Sequence, residues 1–318
     1  MLYTHITEII GNTPLLQIDP AVHQIANVEL YAKLEHLNPF GSLKDRTAWG
    51  LIKDDLPQII ENKQTIVEFS SGNTAKALAI LASVHGLDFQ TITNRIKVPE
   101  VYNVLKAVGA VIDTLDGSTE CPDYEYLERQ TRENPDHYFH TDQYRDAKNF
   151  QMHYETTGRE IFEDIGPVDY LYGGLGTAGS TRGVATFLRE KNPALQNIGV
   201  IAELGHSIPG LRNIDEMQEM GLFEKKLYQD FVVVDIPHTL DSMLTLIRQC
   251  GILGGPSSGA VYQGILQHLQ GQSLRWTRPM KVVFIVCDRL EWYISYLQQH
   301  RPDIFDEHVS DTATISYA

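Results

Sequence analysis

The sequence predicts an α/β protein made of two parallel sheets, each a three-layer α/β/α unit. Three observations predict it. Short apolar runs alternate with helix-like amphipathic stretches along the chain. Glycine- and serine-rich turns sit where an apolar run gives way to a helix-like stretch. The 318 residues suit two sheets of modest size better than one.

Taken in order, LYAKLEHL (30–37) reads as a strand and LKDRTAWGLIKDDL (43–56) as an amphipathic helix. TIVEFS (65–70) is a strand, followed by a helix from about Asn73 to His85. FQTITN (89–94) and AVIDTL (110–115) are strands flanking the helix VPEVYNVLKAVG (98–109). Helices follow at YEYLERQTREN (124–134) and NFQMHYETTGREIFEDI (149–165). VDYLYG (168–173), NIGVIAEL (197–204), FVVVDI (231–236) and KVVFIVC (281–287) are strands. STRGVATFLREKN (180–192), TLDSMLTLIRQCG (239–251) and SGAVYQGILQHLQ (258–270) are the helices among them. The domains are expected at 1–150 and 151–318, with the first strands free to cross to the other unit. In such folds ligands sit beyond the C-terminal ends of the strands.

Composition narrows the function. Apolar residues make up 42% and charged residues 21%, as in a soluble protein with a sizeable core. The formal net charge of −15 disfavours nucleic acid and anionic membranes as partners. No apolar stretch is long enough for a membrane span, and MLYTHITEII lacks the features of a signal peptide. Cys121, Cys250 and Cys287 have no metal-like spacing, which fits a reducing cytoplasm, and Cys287 is expected in the core. Twelve histidines form no HExxH, so no metal is expected.

Four loops carry chemistry. GGLGTAGSTRG (173–183) joins a strand to a helix, where free N–H groups and the helix dipole favour a phosphate. It contains a literal GxGxxG (Gly174, Gly176, Gly179), with Glu203 after the next strand, so a nicotinamide dehydrogenase is one reading. NPFGSLKDR (38–46) puts Lys44 in the first turn of a helix, where the dipole opposes a cation and favours a neutral, nucleophilic amine. Its plain alternative is a surface lysine paired with Asp45. EFSSGNTAKA (68–77) gathers hydroxyls, an amide and helix N–H groups able to grip a carboxylate; an ordinary N-cap is the alternative. GILGGPSSGAVYQ (251–263) offers a serine hydroxyl, which can meet a neutral ring nitrogen. An amine, an anion grip, a phosphate cradle and a hydroxyl are together what pyridoxal 5'-phosphate needs.

At these residues the sequence resembles the cysteine synthase / cystathionine β-synthase family, fold type II pyridoxal-phosphate enzymes with the tryptophan synthase β-subunit fold. The likeness also takes in IGNTPLL (10–16) and TDQYRDAKNFQMHYETTGREI (141–161). It implies that Lys44 carries the cofactor as a Schiff base and moves the substrate α-proton. Asn73 would bond the cofactor's ring oxygen, and Gly176, Thr177, Ala178, Gly179 and Ser180 would form the phosphate loop. Ser257, or less well Ser258, would face the pyridine nitrogen. Ser70, Ser71, Thr74 and Gln143 would hold the substrate α-carboxylate. The implied reaction is β-replacement on O-acetylserine or O-phosphoserine through an enzyme-bound aminoacrylate, in a cytoplasmic homodimer.

Departures mark where the chemistry can differ. The family's Met-Ser-x-Glu-Arg-like stretch is absent from TNRIKVPEVYNVLKAVGA (93–110), and Ala178 and Ser180 stand where Gly and Thr are usual. Arg212 in IPGLRNIDE is a candidate for an anionic nucleophile or leaving group, with a surface arginine as alternative. An amine nucleophile giving a 2,3-diaminopropionate-type product is therefore weighed beside sulfide. A serine or threonine dehydratase fits less well, and a non-catalytic partner protein has no need of Lys44, Asn73 and Ser257.

Overall fold

The computed structural model describes residues 2–93, 99–113, 123–218 and 220–305. The first elements are β1 (Leu15–Gln17), α1 (Pro20–His23), β2 (Val28–Lys33), α2 (Lys44–Ile52), α3 (Leu56–Asn62) and β3 (Thr65–Phe69). Next come α4 (Asn73–Val84), β4 (Phe89–Ile92), α5 (Pro99–Ala107), β5 (Val111–Asp113), α6 (Asp123–Glu133) and β6 (Tyr138–His140). The chain continues through α7 (Lys148–His153), one π-helical stretch (Tyr154–Gly158), α8 (Arg159–Ile165), β7 (Tyr170–Gly174), α9 (Gly179–Lys191) and β8 (Gln196–Ala202). It ends with α10 (Ile214–Met217), β9 (Asp230–Val234), α11 (Ile236–Cys250), α12 (Pro256–Leu269), β10 (Met280–Ile285) and α13 (Ile294–His300).

Two sheets result, in the orders β1-β2-β10-β7-β8-β9 and β5-β4-β3-β6. The smaller sheet is parallel throughout. The larger is parallel except for β1, which runs antiparallel to β2 with Leu16 opposite Ala32. β1 and β2 thus pair into the sheet formed by the second half of the chain, through β2 and β10. Residue 150 falls within α7, which packs on both α2 and α9.

Both faces of each sheet are covered because side chains alternate with period two. On β10, Val282 and Phe284 enter one core with Val261, Tyr262 and Ile265 of α12, while Val283 and Ile285 enter another with Val184 and Leu188 of α9. On the smaller sheet, Ile66 packs toward α2, α4 and α5, and Val67 toward Leu127 of α6. Helix ends follow local chemistry. Asp235 caps α11 by accepting from His238 N at 2.9 Å, and Gly251 closes that helix in the left-handed region at φ 68°.

One strand expectation changes. The strand read over 30–37 ends at Lys33, because Glu35 leaves the ladder to meet Arg46. That buried carboxylate sits 2.7 Å from Arg46 Nε and accepts from Thr13 Oγ1 at 2.6 Å. Arg46 Nη1 also reaches Glu160 at 2.6 Å, and Lys33 lies 2.8 Å from the same carboxylate. IGNTPLL is thereby tied to α2 and α8 as framework, and none of its residues lines the site below. β1 and β6 were not legible, since three-residue strands carry too little pattern. Cys121, residues 94–98 of the 93–110 stretch, and the polar tail from 306 lie outside the described residues. Among the described residues no helix is long and apolar enough to cross a membrane.

Candidate active site

The C-terminal ends of four strands converge on one cleft of about 650 Å³. β2 leads to Lys44, β7 to the glycine loop and β10 to Cys287 and Asp288; in the larger sheet these strands are adjacent, with β10 in the middle. β3, from the other sheet, delivers Ser70, Ser71 and Asn73. Gln143, Gly176, Thr177, Ala178, Ser180, Arg212 and Ser257 complete the lining among the sequence-derived candidates. Thr74 and Gly179 do not line it; each stands directly behind a residue that does. A larger, shallower depression of about 1000 Å³ between β9 and α12 contains none of these groups, but it does hold Glu203. The acid expected of a dinucleotide site is therefore exposed, and it is 3.6 Å from His206 rather than beside the glycine loop.

Lys44 points into the cleft, with Nζ 3.4 Å from Thr177 Oγ1. It has no ion pair with Asp45, whose carboxylate accepts from Phe40 N at 2.6 Å and Ser42 Oγ at 3.1 Å. Burial lowers the lysine to about 8, and attraction from Cys287, Glu68 and Asp288 partly restores it. Desolvation, rather than the helix dipole, is thus the main force drawing off the proton.

The glycine loop offers the donors that an anion cradle needs. The backbone N–H groups of Gly176, Thr177 and Ala178 have no partner among the described residues, and α9 begins immediately after them. Ala178 takes the left-handed conformation at φ 65°, while Gly179 does not. Gly179 is required for space: a Cβ there would lie 2.3 Å from Asn149 Oδ1. Asn149 in turn donates to Thr177 Oγ1 at 3.2 Å and to the carbonyl of Gln143 at 2.7 Å, joining the cradle to the carboxylate grip.

In that grip, Thr74 Oγ1 donates to Gln143 Oε1 at 2.6 Å, and Ser70 Oγ accepts from Gly72 N and Ala75 N. Gln143 N donates to Glu68 at 3.0 Å, and Thr141 Oγ1 donates to the same carboxylate at 2.6 Å. Burial raises Glu68 to about 7. Asn73 Nδ2 donates to Asp288 Oδ2 at 2.6 Å, and its Oδ1 is buried without a partner. The two candidate serines separate cleanly. Ser258 Oγ accepts from Cys287 N at 3.2 Å, whereas Ser257 lines the cleft with a buried hydroxyl set beside the Cys287 thiol.

Several functional neighbours were missed in the sequence. Cys287 packs against the core on the α9 side, as expected, but also stands on the cleft wall, its thiol pushed up to about 12 by burial. Asp288 is buried, accepts from Asn73 and Tyr293, and is raised to about 6. The available signal was position, since both residues directly follow the apolar run of β10. Asn149 and Glu68 carried no local signal beyond a polar residue in an apolar context.

Arg212 lines the cleft half-buried, 5.5 Å over the Tyr144 ring, and among the described residues its guanidinium makes one hydrogen bond, at 3.5 Å, to that residue's hydroxyl. The residues present fit pyridoxal phosphate. A proton-losing amine, three backbone N–H donors at the start of a helix, a serine hydroxyl and a side-chain amide share one cavity large enough for a small ligand and its cofactor.

The family model described as "Pyridoxal-phosphate dependent enzyme" matches residues 6–288. Cysteine synthase B of Pseudomonas aeruginosa is 30% identical over 304 residues, covering 92% of this chain and 96% of that protein. N-(2-amino-2-carboxyethyl)-L-glutamate synthase of Cupriavidus metallidurans is 30% identical over 308 residues, covering 92% and 89%. The crystal structure of O-ureido-L-serine synthase superposes with a TM-score of 0.84 at 25% identity, covering 98% of each chain.

Proposed function

The chain belongs to the pyridoxal-phosphate dependent enzymes of the cysteine synthase type, and on that premise we propose that it replaces the β-substituent of an activated L-serine. O-acetylserine and O-phosphoserine are the two leaving-group classes, and the incoming group is sulfide, as in a cysteine synthase. The observation that carries this reading is Lys44, poised near neutrality against Thr177 of the anion cradle, with the carboxylate grip in the same cleft.

The cofactor, when bound, supplies an electron sink for the bond broken at the substrate α-carbon. Gly176 to Ser180 and the α9 N-terminus would hold its phosphate, Lys44 its aldehyde carbon, and Asn73 its ring oxygen. Ser257 would face the ring nitrogen. A hydroxyl places no full charge there, which suits elimination and replacement over transamination. Ser70, Ser71 and Gln143 would orient the substrate carboxylate, with Thr74 holding Gln143 in place. Lys44 Nζ, released from the cofactor by the substrate amine, would take the proton from the α-carbon and return it at the end.

A second reading has an amine as nucleophile, giving a 2,3-diaminopropionate-type amino acid. Arg212 favours it, because a lightly engaged guanidinium on the cleft wall suits a nucleophile carrying its own carboxylate. The Cupriavidus relative, a synthase named for an amino-carboxyethyl glutamate, supports the same direction.

The test is the visible spectrum of the protein loaded with pyridoxal phosphate, compared with Lys44→Ala, then titrated with each serine ester. Sulfide and amino acids are added next, and products are weighed by mass spectrometry. A yellow band lost in Lys44→Ala, and discharged by one ester plus sulfide, supports the first reading. An adduct formed only with an amino acid, and weakened in Arg212→Ala, supports the second. A protein that takes up no pyridoxal phosphate sinks both. Sedimentation of the loaded protein tests the homodimer that the same reading carries.

A further inference from the structure

Beneath Asn73 lies a buried charge cluster that the reaction above does not use. Lys76, one turn along α4, is fully buried, and its Nζ has no hydrogen-bond partner among the described residues. It sits 3.9 Å over the Trp292 ring. Asp45 of α2 and Asp288 beyond β10 attract it, Glu291 adds to that attraction, and Arg289 repels it. Asp288 is itself faced by Lys76, Lys44, Asn73, Tyr293 and the Cys287 thiol. Its Oδ2 accepts from both Asn73 Nδ2 and Tyr293 OH, while its Oδ1 is buried without a partner. Gly255 makes room for it, since a Cβ there would lie 2.4 Å from Asp288 Oδ1.

The Asn73 amide is secured from one side only. Its Oδ1 has no partner, so nothing but Asp288, and a long 3.4 Å contact to Tyr293 OH, decides which way it faces. An ionised carboxylate is acceptor-only and must take Nδ2; a protonated one keeps an acceptor but gains a donor, and a proton on Oδ2, the oxygen that faces Asn73, takes Oδ1 of a turned amide. Nδ2 carries two hydrogens. With one on Asp288, the other remains for a ring oxygen.

We propose that Lys76 is a positioning residue: its charge keeps Asp288 ionised, Asp288 holds Asn73 Nδ2, and Asn73 thereby donates to the ring oxygen of bound pyridoxal phosphate. The inference rests on the reading that Asn73 meets that oxygen. Burial alone would raise Asp288 and discharge Lys76; the Tyr293 hydrogen bond, then Lys76, Asn73 and Lys44, hold Asp288 at about 6, and Asp45 and Asp288 hold Lys76 at about 8. Removing the lysine tips Asp288 to the acid form, the amide turns, and the ring oxygen loses its donor. A ring oxygen stabilised as phenolate absorbs at longer wavelength than one that keeps its proton, so the change is visible without turnover.

The experiment records absorption spectra of pyridoxal-phosphate-loaded wild type, Lys76→Met, Lys76→Arg and Asp288→Asn from about pH 5 to about pH 9. Wild type should hold the long-wavelength band at neutral pH and lose it to the short one on acidification, with a midpoint near 6. Lys76→Met should move that midpoint up by about 1–3 pH units, Lys76→Arg should leave it in place, and Asp288→Asn should abolish it. Spectra of Lys76→Met that superimpose on wild type across the range overturn the proposal. Should Lys76→Met not fold, Asp288→Asn decides: an acid transition that persists there overturns it equally. A wild type with no visible band overturns the cofactor reading itself, and the inference with it.

Discussion

Alanine at Gly179 tests the packing that unites the site. The new Cβ would meet Asn149 at 2.3, 2.5 and 2.7 Å from its Oδ1, Cγ and Nδ2, so the amide must leave. It then gives up Gln143 O (2.7 Å), Thr177 Oγ1 (3.2 Å) and the hydroxyl of Thr47 (3.3 Å). Overpacking costs about 1–3 kcal/mol, and each donor-acceptor pair lost costs about 1 kcal/mol. Alanine in a helix returns less than about 1 kcal/mol against glycine. The net loss is about 3–6 kcal/mol in urea unfolding of the cofactor-free protein, with weaker pyridoxal phosphate binding because Thr177 and Gln143 are both released. A cycle with Asn149→Ala isolates the cause. Once Asn149 is cut back, Gly179→Ala should cost under about 1 kcal/mol, a coupling of about 2–5 kcal/mol. Additive single variants, or a Gly179→Ala protein as stable and as tightly loaded as wild type, would refute the reasoning.

Two further outcomes follow from the buried charges. The rate of cofactor uptake by cofactor-free protein should rise with pH through about 8, since only the neutral Lys44 amine attacks an aldehyde. The gain between pH 7 and pH 9 is about tenfold, and a flat rate in stopped-flow absorbance would discard the lowered lysine. Arg46→Met strands the buried Glu35 carboxylate and should cost about 3–5 kcal/mol in urea unfolding. Glu160, held down to about 2 by Arg46 and Lys33 against its ordinary 4.5, stabilises the fold fully above 4.5. That contribution disappears as pH falls toward 2. The decline should be shallower in Arg46→Met, and an equal slope in both proteins would count against the network.

The main elements were legible because their signals are local. Apolar runs of five to seven residues such as TIVEF and QNIGVIA announce β3 and β8, and NTAKALAILASV is made of strong helix formers. The strand-end loops were legible for the same reason, as clusters of glycine and hydroxyl residues at junctions. Lys44 was found through an oddity of placement, although the force acting on it is burial, which no window of sequence contains. At Gly179 the structure supplies a physical reason that the sequence did not. The positive φ of the loop belongs to Ala178, and Gly179 is small because Asn149 presses on it.

Alone, the sequence determined two helix-covered parallel sheets, four chemically distinct strand-end loops and the small-molecule class they serve, since periodicity, turn residues and N-caps act within a few neighbours. Tertiary structure alone decided which serine faces the cleft, that Cys287 borders it, and that Asp288 and Lys76 stand behind Asn73. Those choices rest on distance and desolvation between residues up to 215 positions apart, set by β10 being threaded between β2 and β7. Charges that would be unremarkable in water titrate near neutrality there, because the fold removed the solvent that kept them ordinary.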